Sequence, residues 1–330
     1  MKKITRLFTV LVIVLISTLS AGCQTEKEPA QTGDLGTESQ PADGIVQNSQ
    51  VGQVHEVGDI IGAGNTILVV LGWDLYPGGS QFPPQEGFKH LAVDIMLANQ
   101  GNDPFEFSPG NSMTVKDLSG NVYYMNSISG YITGRDSPDG EMIPGEILRG
   151  MVGFQVPEDQ VEFVLILEPD QDDLGEISVN LGSTPQFLDP PLDLDLELQQ
   201  KIYQLGDSAE ILGQVIQVIG VTYPADEEIT RPQEGYKSIV VEILIENQGD
   251  KTLYFTGPDQ LYLKDSSGQK YSDDSLALPA GSDDHVIGSL EPGESIQGRM
   301  AFLVPQDADG LIFVFDPDMF ELGKVFLALD

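Results

Sequence analysis

The sequence predicts an all-β protein that contains two tandem immunoglobulin-like β-sandwich domains. A stretch at residues 86–107 recurs in related form at residues 234–255, an offset of 148 residues. The 36 glycines and 21 prolines indicate many turns and little helix. Each copy contains short runs in which apolar and polar residues alternate, as in strands that are packed on one side. Sequential short strands joined by such turns favour the sandwich architecture.

The first 50 residues predict an export signal followed by a tether. Three basic residues among the first six positions precede an apolar run over residues 7–19 and then small residues, which predicts a signal over residues 1–22. Residues 23–50 are rich in polar residues, Pro and Gly and poor in bulky apolar side chains, so we expect a disordered tether there.

The one cysteine of the chain, Cys23, directly follows the small residues of this signal. The arrangement resembles a bacterial lipoprotein signal, in which the cysteine receives a diacylglycerol and becomes the new N-terminus. The resemblance implies a protein anchored through Cys23 to the cell membrane, on its extracytoplasmic face. The alternative is an ordinary cleaved signal with an incidental cysteine.

The repeat divides the remaining chain into a domain at residues 51–182, a linker at residues 183–204 and a second domain at residues 205–330. Within the linker, leucines alternate with acidic residues at positions 192–198. Such a short run favours either an edge strand that pairs with one of the domains or a solvated linker, and both interpretations stay open.

The central strand of each domain is the clearest element. In the first domain it covers residues 89–99, where four aliphatic residues alternate with residues such as His90 and Asp94. The period of two predicts one face on the core and one face toward solvent. We therefore expect His90 and Asp94, on the second face, to be solvated.

Turn signals follow the central strand in the same order in both copies. In the first copy, Asn-Gln-Gly at residues 99–101 ends the strand, and residues 115–123 predict a hairpin with Ser-Gly in its turn. Pro-Gly-Glu at residues 144–146 predicts a turn before a strand at residues 147–156, and a last strand is expected at residues 161–167. Equivalent elements recur 148 residues later.

The order of these motifs resembles the telokin-like, immunoglobulin-type domain of bacterial lipoproteins that is known as domain of unknown function 4352. The resemblance covers both predicted domains and implies a surface-exposed lipoprotein with no assigned catalysis. It implies no functional residues, because the motif positions belong to turns and strands. In the first copy the pattern is met at Gly87, Lys89, residues 99–101, Asp117, Gly120, residues 144–146 and residues 154–157, and all of these positions have counterparts in the second copy.

The charge balance excludes one class of partner. The chain has 16 basic and 52 acidic residues, a formal net charge of −36. A surface this acidic repels the phosphate backbone, so we expect no binding to nucleic acid. The same carboxylates suit either a plain solvated surface or a calcium site formed by loops at the end of a sandwich. The candidate calcium ligands are Asp170, Asp172, Asp173, Asp316 and Asp318.

A loop with aromatic residues distinguishes the first copy. It contains Trp73, Tyr76 and Phe82, whereas Val221 replaces the tryptophan in the second copy. Aromatic side chains in a loop predict either a ligand or partner surface or a cover over the open end of the core.

The sequence contains no pattern typical of a catalytic site. There is no Gly-x-Ser-x-Gly motif, no dinucleotide or phosphate-binding glycine loop and no Cys/His set for zinc. We therefore expect no enzyme and no cofactor apart from the open question of calcium. The hypothesis from sequence is a lipid-anchored cell-surface protein that acts as a non-catalytic binding module, and the alternative is a calcium-stabilised structural or adhesive surface element.

Overall fold

The residues that the computed structural model describes all lie in one compact unit, Asp43–Asp330. The predicted export signal, Cys23 and most of the predicted tether lie outside the described residues. Within the described residues no helix is long and apolar enough to cross a membrane. The described residues are 47–48, 52–77, 82–126, 133–168, 176–191, 194, 196–255, 260–279, 281–282, 286, 288–317 and 323–329.

The first domain consists of strands and one short helix, α1 (Pro109–Ser112). Its strands are β1 (Gln47–Asn48), β2 (Val54–Glu56), β3 (Ile60–Ala63), β4 (Thr66–Tyr76), β5 (Phe88–Asn99), β6 (Phe105–Phe107), β7 (Met113–Asp117), β8 (Val122–Tyr124), β9 (Gly140–Met142), β10 (Ile147–Pro157), β11 (Phe163–Leu167), β12 (Ile177–Gly182) and β13 (Gln186–Phe187).

The second domain repeats this series, with short 3-10 turns at Asp226–Glu228 and Ser275–Ala277. Its strands are β14 (Ile202–Tyr203), β15 (Ser208–Ile211), β16 (Gln214–Thr222), β17 (Tyr236–Asn247), β18 (Leu253–Phe255), β19 (Leu261–Lys264), β20 (Lys270–Ser272), β21 (Gly288–Leu290), β22 (Ser295–Pro305), β23 (Ile312–Phe315) and β24 (Val325–Ala328).

Each domain is a sandwich of two main sheets with the same strand order. One sheet runs β3-β4-β5-β10 in the first domain and β15-β16-β17-β22 in the second. The facing sheet runs β2-β12-β11-β7-β8 in the first domain and β14-β24-β23-β19-β20 in the second. Even the irregularity in β4, between Val70 and Gly72, recurs in β16 between Val218 and Gly220. The predicted all-β fold of two tandem β-sandwich domains is confirmed.

The hairpin predicted at residues 115–123 is also confirmed, because β7 pairs antiparallel with β8 and β19 with β20. At each tip one aspartate, Asp117 or Asp265, accepts a hydrogen bond from the backbone N–H two residues later, at 2.8 and 2.9 Å. The tip glycines, Gly120 and Gly268, have φ +84° and +85°, a conformation that glycine adopts without steric cost. The two tips therefore have the same shape.

The core of the first domain lies between its sheets, and the outer face of β5 is covered as well. His90 and Asp94 are 2% and 1% exposed, so the prediction of a solvated outer face is wrong in this domain. Segments from outside β5 cover the side chains of His90 and Asp94 and shield them from solvent. In the second domain the outer face of β17 is more open, and Glu246 is exposed.

The linker packs against the first domain. Its residues Leu194 and Leu196 contact an apolar cluster on the outer face of the β3-β4-β5 sheet, and Gln199 N donates to Pro144 O at 2.9 Å. None of the three described leucines of the run, Leu194, Leu196 and Leu198, lies in a strand, and the residues that do pair are earlier, at β13, which pairs with β4. Neither the edge strand predicted at residues 192–198 nor the solvated linker describes this packed segment.

The structure departs from the predicted tether at its C-terminal end. Gln47–Asn48 form β1, which pairs in parallel with Ile61 and Gly62 of β3. A sequence with few bulky apolar residues forms a strand here because backbone hydrogen bonds to an existing edge require no side-chain pattern.

Candidate functional site

Trp73 does not form a ligand surface. Its side chain is 0% exposed and belongs to the core of the first domain, and its indole Nε1 donates to Leu181 O at 2.5 Å. For Trp73 the prediction of a ligand surface is wrong. The alternative, in which the side chain packs over the open end of the core, agrees with its burial. The irregularity in β4 just before Trp73 aligns the indole with Val93, on the inner face of the sandwich.

The other two aromatic residues of the predicted surface are partly buried. Tyr76 ends β4, and the carbonyl of Phe82 lies 3.3 Å from His90 Nε2. This contact explains why His90 is buried, since the segment at Phe82 covers it. Residues 78–81, between the two aromatics, lie outside the described residues.

The calcium prediction stays a prediction. Asp170, Asp172, Asp173 and Asp318 lie outside the described residues. In the part of the chain that the structure describes, no group of three or more His, Cys, Asp or Glu side chains could hold a metal ion. Asp316 is the one predicted ligand that is described, and burial raises its pKa to about 6, with Lys324 opposing and Glu141 reinforcing the shift.

A buried group of charged side chains joins the two domains. Glu146, in the Pro-Gly-Glu turn of the first domain, receives Lys264 Nζ of the second domain at 2.7 Å from its Oε1. Lys324 Nζ, also from the second domain, lies 3.4 Å from both carboxylate oxygens. The side chains of Glu146, Lys264 and Lys324 are 0%, 7% and 1% exposed. We call these three residues the junction cluster.

The junction cluster keeps Glu146 ionised. Burial alone would raise the pKa of this carboxyl, but the ammonium groups of Lys264 and Lys324 outweigh burial and lower the pKa to about 2. The second oxygen, Oε2, accepts from Ile143 N at 3.0 Å and fixes the turn. For Lys264, burial prevails over the attraction of Glu146 and lowers the pKa.

Further carboxyls surround the junction cluster. Glu141 accepts from Gly323 N at 2.9 Å through Oε2, and its backbone carbonyl accepts from Lys324 Nζ. Burial raises the pKa of Glu141 and of Glu106, and Lys324 lowers both. These carboxyls are therefore held less firmly in the ionised form than Glu146 is.

A second group of ion pairs lies where the hairpin tip of the second domain meets β10. Asp94 receives Arg135 Nη1 at 2.7 Å and Arg149 Nη2 at 2.8 Å. Arg149 N donates to Gly268 O at 2.9 Å, and Arg135 Nε donates to Gln269 Oε1 at 2.8 Å. The tip thus adds to the edge of the first domain's sheet, a use of a free strand edge that also covers it.

The contact at the tip is close and has an apolar border. A Cβ atom added to Gly268 would lie 2.5 Å from Ile147 O, so only glycine fits without a shift. Next to it, Ile143 of the first domain packs against side chains of the second domain, namely Tyr262, Val314 and Phe326. Buried ion pairs, backbone hydrogen bonds and apolar packing together hold the two domains in one arrangement.

Sequence reasoning assigned only a turn role to Glu146 and missed the junction. The signal was available in the differences between the copies rather than in their shared motifs. Lys324 aligns with Glu176, Arg149 aligns with Gln297, and each difference places a cation where the other copy has none. The shared turn glutamate of the second domain, Glu294, is exposed.

The described residues line an open groove on each domain. The domain 1 groove has a volume of about 480 Å³ and is lined by Gln85, Phe88, Val122, Tyr123, Tyr124, Met125, Asn126 and Gln155. The domain 2 groove also has about 480 Å³ and is lined by Ile202, Gln204, Tyr223, Ala308, Asp309, Gly310, Leu311, Ile312, Ala328 and Leu329.

The grooves expose large apolar side chains. Tyr124 is 73% exposed in the domain 1 groove, and Tyr223 is 63% exposed in the domain 2 groove. Aromatic residues that combine an apolar ring with a hydroxyl are typical of binding surfaces. These grooves are candidate functional sites that the sequence did not indicate, and for Tyr76 and Phe82 the predicted surface stays a prediction.

Comparison with protein-family models assigns both domains to one family. The model of the Domain of unknown function (DUF4352) matches residues 55–175 and again residues 203–325. The chain belongs to this family. The two matched regions account for about three quarters of the chain, in agreement with the resemblance found in the sequence. No curated protein matches the chain.

Several solved structures are similar to parts of this member of the DUF4352 family. The yjhA protein from Bacillus subtilis shares 15% identity over 39% of this chain and 100% of its own, with a TM-score of 0.32. A conserved hypothetical protein from Bacillus anthracis shares 18% identity over 35% of this chain and 89% of its own, with a TM-score of 0.27. An uncharacterized β-sandwich protein from Clostridium difficile shares 16% identity over 40% of this chain and 96% of its own, with a TM-score of 0.26.

Proposed function

We propose that this protein is a non-catalytic binding module, anchored by lipid at Cys23 to the extracytoplasmic face of the cell membrane. The observation that supports binding is the pair of open grooves with exposed aromatic side chains, carried by two domains that buried ion pairs hold together. Glu146 pairs with Lys264 and Lys324 across the junction, and these buried charges link the two domains.

The ion pairs and apolar contacts at the junction favour a fixed separation and direction of the grooves. A flexible pair of domains loses freedom when both domains engage a partner, whereas a pre-organised pair has lost that freedom on folding. The support for the anchor is the signal-like start of the sequence with small residues directly before Cys23.

The anchor is tested by growing cells with an alkyne-tagged fatty acid. The wild-type chain is expected to carry the tag, Cys23→Ala to lose it and appear in the soluble fraction, and the neighbouring variant Gln24→Ala to keep it. An unlabelled wild-type chain, or a Cys23→Ala variant that stays labelled, would refute the anchor.

Binding is tested by photo-crosslinking on intact cells. A photoreactive amino acid at Val122, in the domain 1 groove, or at Tyr223, in the domain 2 groove, should give a discrete adduct. The same amino acid at Glu227, an exposed residue outside both grooves, should not. Equal labelling at all three positions would show that the grooves have no specific partner.

The alternative of a calcium-stabilised surface element has its own readout. Thermal unfolding in EDTA, in calcium and in sodium chloride of equal ionic strength distinguishes a bound ion from charge screening. A rise in Tm in calcium well beyond that in sodium chloride would favour the alternative over a plain binding module.

A further inference from the structure

The two domains differ in how the same end of their cores is closed. Trp73 and Val221 occupy equivalent positions, since each follows the same irregularity and lies opposite a valine, Val93 or Val241, of the central strand. Trp73 is fully buried, whereas Val221 is only partly buried against the core of the second domain. An indole ring in one copy is thus replaced by an isopropyl group in the other.

A second replacement lies in the same core. Phe163 of the first domain is 1% exposed, and its equivalent in the second domain, Leu311, is partly exposed. At these two positions smaller aliphatic side chains replace aromatic rings, while Phe313 and Phe315 take the places of Leu165 and Leu167 further along the strand. Side chains around such a site relax only in part, so the lost volume remains as a cavity or groove.

The domain 2 groove opens at this end of the core. Leu311 is part of its lining, and so is Leu329, the equivalent of Leu181. Leu181 supplies the carbonyl that accepts the indole N–H of Trp73 at 2.5 Å. Of these two lining residues, Leu311 corresponds to a member of the core cluster that contains Trp73, and Leu329 corresponds to the residue that accepts the indole hydrogen bond.

We infer that the domain 2 groove binds a small aromatic molecule of the indole class, a ring with an N–H donor. The first domain shows what this end of the sandwich accommodates, because Trp73 supplies such a ring from within the chain. In the second domain the ring comes from solution, lies between Leu311 and the exposed ring of Tyr223, and donates its N–H to Leu329 O. This inference rests on the proposed binding function and names a ligand class for one of its two grooves.

Charge restricts the ligand further. Asp309 is one of the groove's lining residues, and the chain carries a net charge of −36. A carboxylate on the ligand would be repelled, whereas an ammonium group would be attracted. We expect tryptamine to bind at least as tightly as indole, and indole-3-acetate to bind more weakly.

The test is calorimetric titration of the full chain with indole, supported by ligand-observed NMR. Val221→Trp returns the residue of the first domain and should fill the groove from within, so that indole affinity falls at least tenfold and Tm rises in the absence of ligand. Leu311→Phe is a second, smaller change with the same expected direction. Tyr254→Ala, an exposed position outside the groove, is the matched control and should leave affinity unchanged.

Each outcome decides the inference. 1-Methylindole, which lacks the N–H, should bind several-fold more weakly, as the loss of one neutral hydrogen bond predicts. No binding of indole to the wild-type chain, equal binding to Val221→Trp and Leu311→Phe, or equal affinity for 1-methylindole would overturn it. If indole does not bind while Val122 or Tyr223 still crosslinks a partner protein, the indole inference alone fails; if crosslinking fails as well, the proposed function fails.

Discussion

Replacing Glu146 with glutamine removes one negative charge from the junction while keeping the size of the side chain. The amide oxygen can still accept from Ile143 N, so the turn can persist. Lys264 and Lys324, both nearly inaccessible to solvent, then lose their carboxylate. The variant therefore isolates the electrostatic part of the domain contact.

The expected loss follows from the burial of these charges. Removing one partner of a buried ion pair costs about 3–5 kcal/mol, because the remaining charge stays away from water. The lowered pKa of Glu146 agrees in direction, since the ammonium groups of Lys264 and Lys324 stabilise the ionised carboxylate. We expect Glu146→Gln to lower the free energy of unfolding by about 3 kcal/mol or more at neutral pH.

The pH dependence supplies a second readout. The pKa of Glu146 is lowered on folding, so its contribution is present above about pH 4.5 and is lost as the pH falls toward 2. The difference in stability between wild type and Glu146→Gln should therefore shrink over this interval of pH.

The assay is urea unfolding followed by fluorescence and by circular dichroism. Trp73 is the one tryptophan of the chain and is buried in the first domain, so its emission reports that domain, whereas circular dichroism reports both. Glu294→Gln is the matched control, because Glu294 accepts from Glu291 N in the same turn but is exposed. Its cost should stay within about 0.5 kcal/mol. Equal losses in the two variants would refute the assignment of buried charge to the junction.

Three further predictions use other described positions. Gly268→Ala should cost at least 1 kcal/mol more than Gly120→Ala in urea unfolding, because both pay the cost of positive φ but only at Gly268 would the Cβ collide with Ile147 O; equal costs would contradict the docked tip. Asp316→Asn should raise the free energy of unfolding at pH 7.5 by up to about 3 kcal/mol and leave it unchanged below about pH 4. The reason is that folding raises the pKa of this carboxyl from 3.8 to about 6, so its ionisation opposes folding as the pH rises through this interval. A destabilised variant at pH 7.5 would contradict this. Trp73→Ala should cost about 3–5 kcal/mol in thermal or urea unfolding, as truncation of a buried aromatic side chain does, and a loss below 1 kcal/mol would contradict its core position.

The sequence was sufficient for features that depend on neighbouring residues. Strand alternation at residues 89–99 and the Asp-x-x-Gly tips at Asp117 and Asp265 are local, because the turn is closed by a side chain and backbone groups within four residues. The repeat then doubled the evidence for each element. For these reasons the fold class and the hairpins could be predicted in both domains.

The wrong prediction for the outer face of β5 has one physical cause, which is cover by segments outside that strand. Asp94 and His90 lie on the outer face of a strand, and their solvation was inferred from alternation alone. Arg149 and Arg135 cover Asp94, and the segment at Phe82 covers His90. Alternation identifies which residues share a face, but it carries no information on what packs against that face.

Glu146 illustrates a second limit. The same Pro-Gly-Glu turn occurs in both domains, and in each the glutamate closes the turn on a backbone N–H. Only in the first domain does the other carboxylate oxygen meet Lys264. A local motif can thus be predicted correctly while the second role of its side chain depends on another domain.

The two domains contribute different kinds of side chain to the junction, and this difference affects folding during synthesis. The apolar residues Tyr262, Val314 and Phe326 all belong to the second domain, whereas the first domain contributes, besides Ile143, the charged side chains of Glu146, Arg135 and Arg149. The first domain leaves the ribosome earlier and waits for its neighbour with a docking face that water solvates well. The apolar half of the contact is synthesised last, when the surface that will cover it already exists.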